Sequence, residues 1–142
     1  MKLKQLSLVI PNEPGALVRV CEVLQRHSVN ISTLTLADTA NFGILRLIIQ
    51  EWEGALEALE GDGLVVKVSD VLAISIPHVP GGLHQILALL NEHRINVEYM
   101  YGFSLATRER SVQIFRLNDT DRAIEVLSQA EVCLLEPGEL FL

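Results

Sequence analysis

The sequence predicts an α+β protein made of two tandem ferredoxin-like β-α-β-β-α-β units, each an antiparallel sheet with its helices packed on one face. The first observation is an internal repeat. A shift of 66 residues lays Leu6-Ser7-Leu8-Val9-Ile10 on Leu72-Ala73-Ile74-Ser75-Ile76, and it also pairs Pro14 with Pro80, Gly15 with Gly81, His27 with His93 and Asn30 with Asn96. The second is that the shift grows to 68 after a hairpin, where Ala55-Leu56-Glu57 meets Ala123-Ile124-Glu125. The third is that apolar alternation at period two gives way to a helical stripe and returns, twice in each copy. Two domains of one design follow, at residues 1–69 and 70–142.

The elements can be read in order. Leu6, Leu8 and Ile10 alternate with Ser7 and Val9 and stop at Pro11-Asn12-Glu13-Pro14-Gly15, which is dense turn chemistry. Leu17, Val20, Cys21 and Leu24 then recur at helical spacing, as do Leu83, Ile86, Leu87 and Leu90, so each set predicts a buried helix face. These helices close at His27-Ser28 and His93-Arg94, where a cation suits the helix dipole. The next strands, residues 30–37 and 96–103, carry many polar side chains and read as sheet edges, with Tyr99 and Tyr101 as interface residues. Hairpins follow at Asp38-Thr39-Ala40-Asn41 and Thr107-Arg108-Glu109-Arg110. Third strands at 44–49 and 112–117 are more continuously apolar and therefore more central. Second helices span 53–60 and 121–130, the latter capped by Asp119 or Thr120, and fourth strands at 64–68 and 132–135 complete each unit. Only Ser69-Asp70 separates the copies.

Composition narrows the function classes. Hydrophobic residues make up 49% of the chain and aromatic ones 5%, which describes a folded core of Val, Leu and Ile rather than a disordered segment. Each copy is near the lower size limit for an independent core, so the copies should depend on each other and the chain should form a homodimer through its edge strands. A net charge of −7 without any Lys/Arg run argues against nucleic acid as a partner. No apolar run approaches membrane-spanning length, and the N-terminus enters a strand directly, so neither a membrane nor a secretory leader is expected. Cys21 and Cys133 sit on predicted apolar faces without metal or redox spacing and read as reduced core thiols in a cytoplasmic protein.

Chemistry concentrates in the loop between the first strand and first helix of each copy. There Asn12-Glu13-Pro14-Gly15-Ala16-Leu17 and His78-Val79-Pro80-Gly81-Gly82-Leu83 place glycine at a helix start, where unpartnered backbone N–H groups can hold a carboxylate. An equal reading is that Pro-Gly serves only to turn the chain and begin the helix. No activated nucleophile, phosphate-binding Gly-Lys loop or paired carboxylate is visible, and the four histidines lack metal spacing. Neither an enzyme nor a metal or cofactor protein is expected.

These residues resemble the ACT domain, a small ligand-binding regulatory module whose first strand enters an Asp-x-Pro-Gly-x-Leu loop. The resemblance covers both copies and rests on Pro14-Gly15-Ala16-Leu17 with Asn30-Ile31, and on Pro80-Gly81-Gly82-Leu83 with Asn96-Val97. Asn12 and His78 stand where the family pattern has Asp, and Ser28 and Arg94 where it often has Gly. A non-Gly residue in such a left-handed cap costs on the order of 1 kcal/mol. The resemblance implies that a small effector, a free amino acid, binds where two modules pair. Carried over to this chain, it implies a site of Asn12, Glu13, Gly15, Ala16 and Leu17, and of His78, Val79, Gly81, Gly82 and Leu83, with Asn30 and Asn96 facing the loops. An Asn side chain both donates and accepts, as a zwitterion requires, although Asn at a helix exit is also ordinary turn chemistry. The leading reading is a tandem regulatory module that senses an amino acid. The alternatives are a regulatory subunit docking on an amino-acid-metabolism enzyme such as acetolactate synthase, and a dimerisation module without a ligand.

Overall fold

The computed structural model describes residues 1–104 and 109–140. In chain order the elements are β1 (Leu3–Pro11), α1 (Ala16–Arg26), β2 (Thr33–Asp38), β3 (Phe42–Ile48), α2 (Trp52–Gly61), β4 (Lys67–Pro77), α3 (Gly82–Glu92), β5 (Val97–Ser104), β6 (Arg110–Leu117), α4 (Thr120–Gln129), β7 (Cys133–Leu134) and α5 (Pro137–Leu140). They form two compact units, one of Lys4–Ser69 and one of Met1–Leu3 with Asp70–Leu142. In the second unit the Met1 ammonium pairs with Glu136 at 2.9 Å and Lys2 with Asp121 at 2.7 Å. The hydrogen bond to Asp121, with its charge, holds the Lys2 ammonium above its ordinary pKa.

In the first unit β3 lies between β2 and β1, antiparallel to both. Leu6, Leu47 and Leu34 form one cross-strand row, and Leu8, Leu45 and Leu36 form the next. The inner members of these rows meet Val20, Val23 and Leu24 of α1 and Ala55, Ala58 and Leu59 of α2 in one core. In the second unit β6 lies between β5 and β4, and β7 pairs with the other edge of β4. Leu72, Ile74, Ile76, Phe115 and Leu117 pack there on Ile86, Leu90, Ala123, Val126 and Leu127. The apolar third strands are thus central, as their composition predicts, and the polar β2 and β5 are edges.

The helices close alike. At the end of α1, Val29 N–H donates to Leu24 O and Ser28 N–H to Gln25 O; at the end of α3, Ile95 donates to Leu90 and Arg94 to Asn91. The ends of α2 and α4 repeat this through Leu64 to Leu59 and Val132 to Leu127. This is the Schellman arrangement, and in each case the apolar residue after the cap packs on the same core as its partner. The left-handed residue it requires is Ser28 (φ 56°), Gly63 (φ 84°), Arg94 (φ 54°) or Glu131 (φ 58°), so glycine serves once and strained L-residues three times. His27 and His93 add a side-chain bond each, their Nδ1 donating to Val23 O at 2.9 Å and Leu89 O at 3.1 Å. At the start of α4 the Asp119 carboxylate caps Arg122 N–H at 3.0 Å.

Several expectations need correction. Cys21 and Cys133 are exposed rather than core thiols. At about 100° per residue, Cys21 and Val23 lie equally far to either side of the Val20–Leu24 direction, and the core takes Val23. Leu83 opens the predicted α3 stripe yet is 37% exposed, because the first turn of α3 buries Gly82 instead. Residues 64–66 lie outside any strand, and Ser69 and Asp70 lie within β4 rather than between two strands. Nothing in Lys67–Ile76 breaks a strand, since glycine and proline are absent until Pro77. Leu64 and Val66 still pack on the first core. The second predicted hairpin falls partly outside the described residues, and its Arg110 belongs to β6.

Candidate functional site

Both strand-to-helix loops form the same turn. Gly15 (φ 90°, ψ −19°) and Gly81 (φ 85°, ψ −8°) occupy its third position after proline, and Ala16 N–H donates to Glu13 O at 3.3 Å while Gly82 N–H donates to Val79 O at 3.1 Å. A type II turn requires φ > 0 at that position, which explains both glycines. Each loop is also tied to the following hairpin: Asn12 N–H donates to Asn41 O at 3.0 Å, and His78 N–H to Glu109 O at 2.8 Å. No side-chain cap closes the start of α1 or α3, so the turn uses one amide and leaves the first helical turn without a side-chain partner.

A cavity of about 180 Å³ lies beside the first loop. It brings together Asn12, Glu13, Ala16 and Leu17 of the predicted site with Leu36, Ala37 and Asp38 of β2, Gly43 of β3 and Ile10 of β1. On the other flank of the loop, a second cavity of about 210 Å³ is lined by Glu13, Gly15, Ala16, Arg19 and Leu64. Arg19 there is held by α2's end, its guanidinium donating to Asp62 O at 2.9 Å.

Other predicted residues are placed elsewhere. Asn30 lines an open groove of about 340 Å³ with Cys21, Gln25 and Ser28, past the C-terminal end of α1. Eleven helical residues at about 1.5 Å rise put roughly 16 Å between that end and the Pro-Gly loop of the same copy. Asn96 follows α3 in the same way, and its backbone pairs with Asn118, donating to Oδ1 at 2.9 Å and accepting from N–H at 3.1 Å. Within a copy, then, the Asn and the loop are not brought together. Val79 is exposed at the second loop, while Gly82 is buried, and a Cβ there would overlap the Pro77 carbonyl oxygen. Its role is close packing.

Leu36, Ala37, Asp38 and Gly43 were not among the residues singled out from sequence. A signal for them exists: counting back across a tight hairpin pairs Asp38 with Gly43, and Gly43 in turn pairs with Ile10 at the end of β1. A glycine inside a strand marks a close approach of that kind. Among the described residues there is no group of three His, Cys, Asp or Glu able to hold a metal ion, and no helix long and apolar enough to cross a membrane.

Two β-α-β-β-α-β units, each entering its first helix through a type II Pro-Gly turn, match the ACT domain pair family over residues 1–141. The chain belongs to that family. Protein BT0572 from Bacteroides thetaiotaomicron is 38% identical, superimposes with a TM-score of 0.92, and the match covers 99% of this chain and 96% of that one. The fold is also that of the regulatory subunit of aspartate kinase from Thermus thermophilus, at TM-score 0.63 and 19% identity over 92% of this ACT pair and 93% of that chain. The corresponding subunit from Thermus flavus gives 0.64 and 19%, covering 92% and 94%. No curated protein matches the sequence.

Proposed function

We propose that this ACT pair is a regulatory module that binds a free amino acid at its Pro-Gly helix starts and acts on another protein rather than catalysing a reaction itself. The observation that carries the reading is the cavity beside the first loop, lined by Ala16 at an uncapped helix start together with Asn12, Glu13 and Asp38. Helix-start amides favour the ligand's carboxylate, and the two acidic side chains favour its ammonium. Its size supports a small metabolite, since drug-sized ligands occupy roughly 300–1,000 Å³. The second loop repeats the turn but has His78 for Asn12 and a packed Gly82, so the two sites differ in affinity.

A regulatory subunit that docks on a catalytic partner is the second reading. It is favoured by the two Thermus chains of the same fold, matched over 93% and 94% of their lengths, which are regulatory subunits of aspartate kinase. Homodimerisation through the edge strands β2 and β5 and a cytoplasmic location fit either reading.

Gly15→Val and Gly81→Val would strain the backbone at φ 90° and 85° whether or not a ligand binds, so they separate poorly between folding and recognition. Asp38 is exposed at a sheet edge, so its reversal should leave the fold intact. A thermal-shift screen of the purified chain against the common amino acids should find a ligand that, at about 100 times its Kd, adds roughly 2.7 kcal/mol. Asp38→Lys should then weaken that ligand at least about tenfold, or about 1.4 kcal/mol, in isothermal titration. Silence against every amino acid would discard the sensing role and leave the docking subunit, to be tested by co-purification.

A further inference from the structure

We infer that Gly43 is a specificity-determining residue of the first loop's cavity, and that it sizes that cavity for an amino acid with a small aliphatic side chain. The inference rests on the amino-acid reading above and adds to it a ligand class and the residue that enforces it.

Gly43 is buried in β3, in register with Ile10 on one side and Asp38 on the other, and all three line the cavity. A Cβ built on Gly43 would meet Leu36 Cδ1 at 3.0 Å and Ile10 Cγ1 at 3.4 Å. Those neighbours do not respond alike. Ile10 is 4% exposed and fixed in the core, whereas Leu36 is 46% exposed and free to swing. A methyl group at 43 therefore takes space from the cavity directly and turns the Leu36 side chain at the same time. Glycine is not required there by backbone conformation, because φ at Gly43 is not positive. Its missing side chain is what the cavity uses.

The remaining walls state what fits. Ile10, Leu17 and Leu36 are aliphatic, and the polar residues are Asn12, Glu13 and Asp38, so a ligand there meets both hydrocarbon and charge. About 180 Å³ lies well below the roughly 300–1,000 Å³ of sites for drug-sized ligands, which favours a small side chain over an aromatic one. The second copy has Ser111 in place of Gly43, opposite Ile76, and Gly102 in place of Leu36, with the Gln113 side chain where a Gly102 Cβ would lie. The two copies exchange bulk between neighbouring strands, and the open aliphatic floor belongs to the first.

The test is isothermal titration of alanine, valine and phenylalanine into the full chain as wild type, Gly43→Ala, Leu36→Ala and the double variant, with circular dichroism to check folding. Wild type should bind valine and reject phenylalanine. Gly43→Ala should lose valine affinity at least about tenfold, the effect of one methylene in an apolar pocket, while alanine changes by less than about threefold. Removing Leu36 Cδ1 removes the contact that transmits the change, so the double variant should recover valine binding. An unchanged preference in Gly43→Ala, no recovery in the double variant, or a wild-type preference for phenylalanine overturns the inference while the amino-acid reading stands. Wild type binding no amino acid overturns both. If Gly43→Ala does not fold, Leu36→Ala alone decides, by admitting phenylalanine or leaving the preference as it was.

Discussion

The two copies of this ACT pair agree wherever the backbone sets the terms and differ where only side chains do. Both start the first helix from a type II turn with glycine at φ near 90°, and both end their helices in Schellman caps stapled by an apolar residue. Around the loop, by contrast, Gly43 and Leu36 of the first copy correspond to Ser111 and Gly102 of the second, and Ala16 corresponds to Gly82. A turn or a cap fails unless its few residue types stand at fixed spacing. A cavity wall has no such constraint, because bulk can move from one strand to its neighbour while the sheet keeps its pairing. The two copies thus keep one fold around differently lined loops.

The sharpest check on that likeness is at equivalent core positions. Leu24 and Leu90 are each 1% exposed and each supplies the carbonyl that its Schellman cap uses. Leu24→Ala and Leu90→Ala should each lose about 2–5 kcal/mol in urea unfolding, by similar amounts. A difference of more than about twofold between them would mean that the copies do not share one way of packing.

Exchanging residues at the loop should expose the unlikeness. Gly82→Ala installs what the first copy already has at Ala16, yet the new Cβ would overlap the Pro77 carbonyl oxygen, and backbone cannot swing aside as a side chain does. It should cost about 1–3 kcal/mol. The reciprocal Ala16→Gly should cost only about 0.5–1 kcal/mol, through chain entropy. A neutral Gly82→Ala in thermal unfolding would show that the second loop relaxes to the geometry of the first.

How far the sequence was legible follows the same division. The repeat, the turns, the central strands and the Asp119 cap are written in residue types with local meaning, so spacing along the chain finds them. Cys21 was misread because Val20, Cys21 and Val23 all fit a helical stripe, and only packing chooses among them. Gly43 and Asp38 reach the cavity through hairpin register, a contact between strands that local pattern does not record. The continuity of β4 was hidden because Ser69 and Asp70 are compatible with a joint without requiring one.

The caps offer a finer comparison. Ser28 and Arg94 hold left-handed φ of 56° and 54°, while Gly63 does the same work at 84° without a Cβ. Ser28→Gly and Arg94→Gly should each raise stability by up to about 1 kcal/mol, less the greater entropy of glycine in the unfolded chain. Gly63→Ala should lose about 1 kcal/mol. A loss of stability in either glycine variant would mean that the Ser28 or Arg94 side chain contributes more than its strain costs.

The smallest expected effect concerns a contact that only the first copy can make. Arg19 and Arg26 of α1 both reach Asp62, at 3.5 Å and 3.2 Å, which joins α1 to the end of α2. In the second copy the repeat places Gln85, Glu92 and Ala130 at those positions, so no counterpart can form. The Arg side chains are 55% and 63% exposed, which puts the pairs in water, where such contacts contribute about 0.2–1 kcal/mol. Asp62→Ala also leaves the backbone carbonyl that Arg19 uses at 2.9 Å. The variant should therefore lose about 0.5 kcal/mol in low salt, and most of that difference should vanish near 1 M salt, where screening acts within about 3 Å. A loss above about 2 kcal/mol that persists in salt would make Asp62 a structural anchor rather than a surface partner. The first copy would then depend on an ion cluster that the second has no residues to build, and the shared fold would rest on unlike supports.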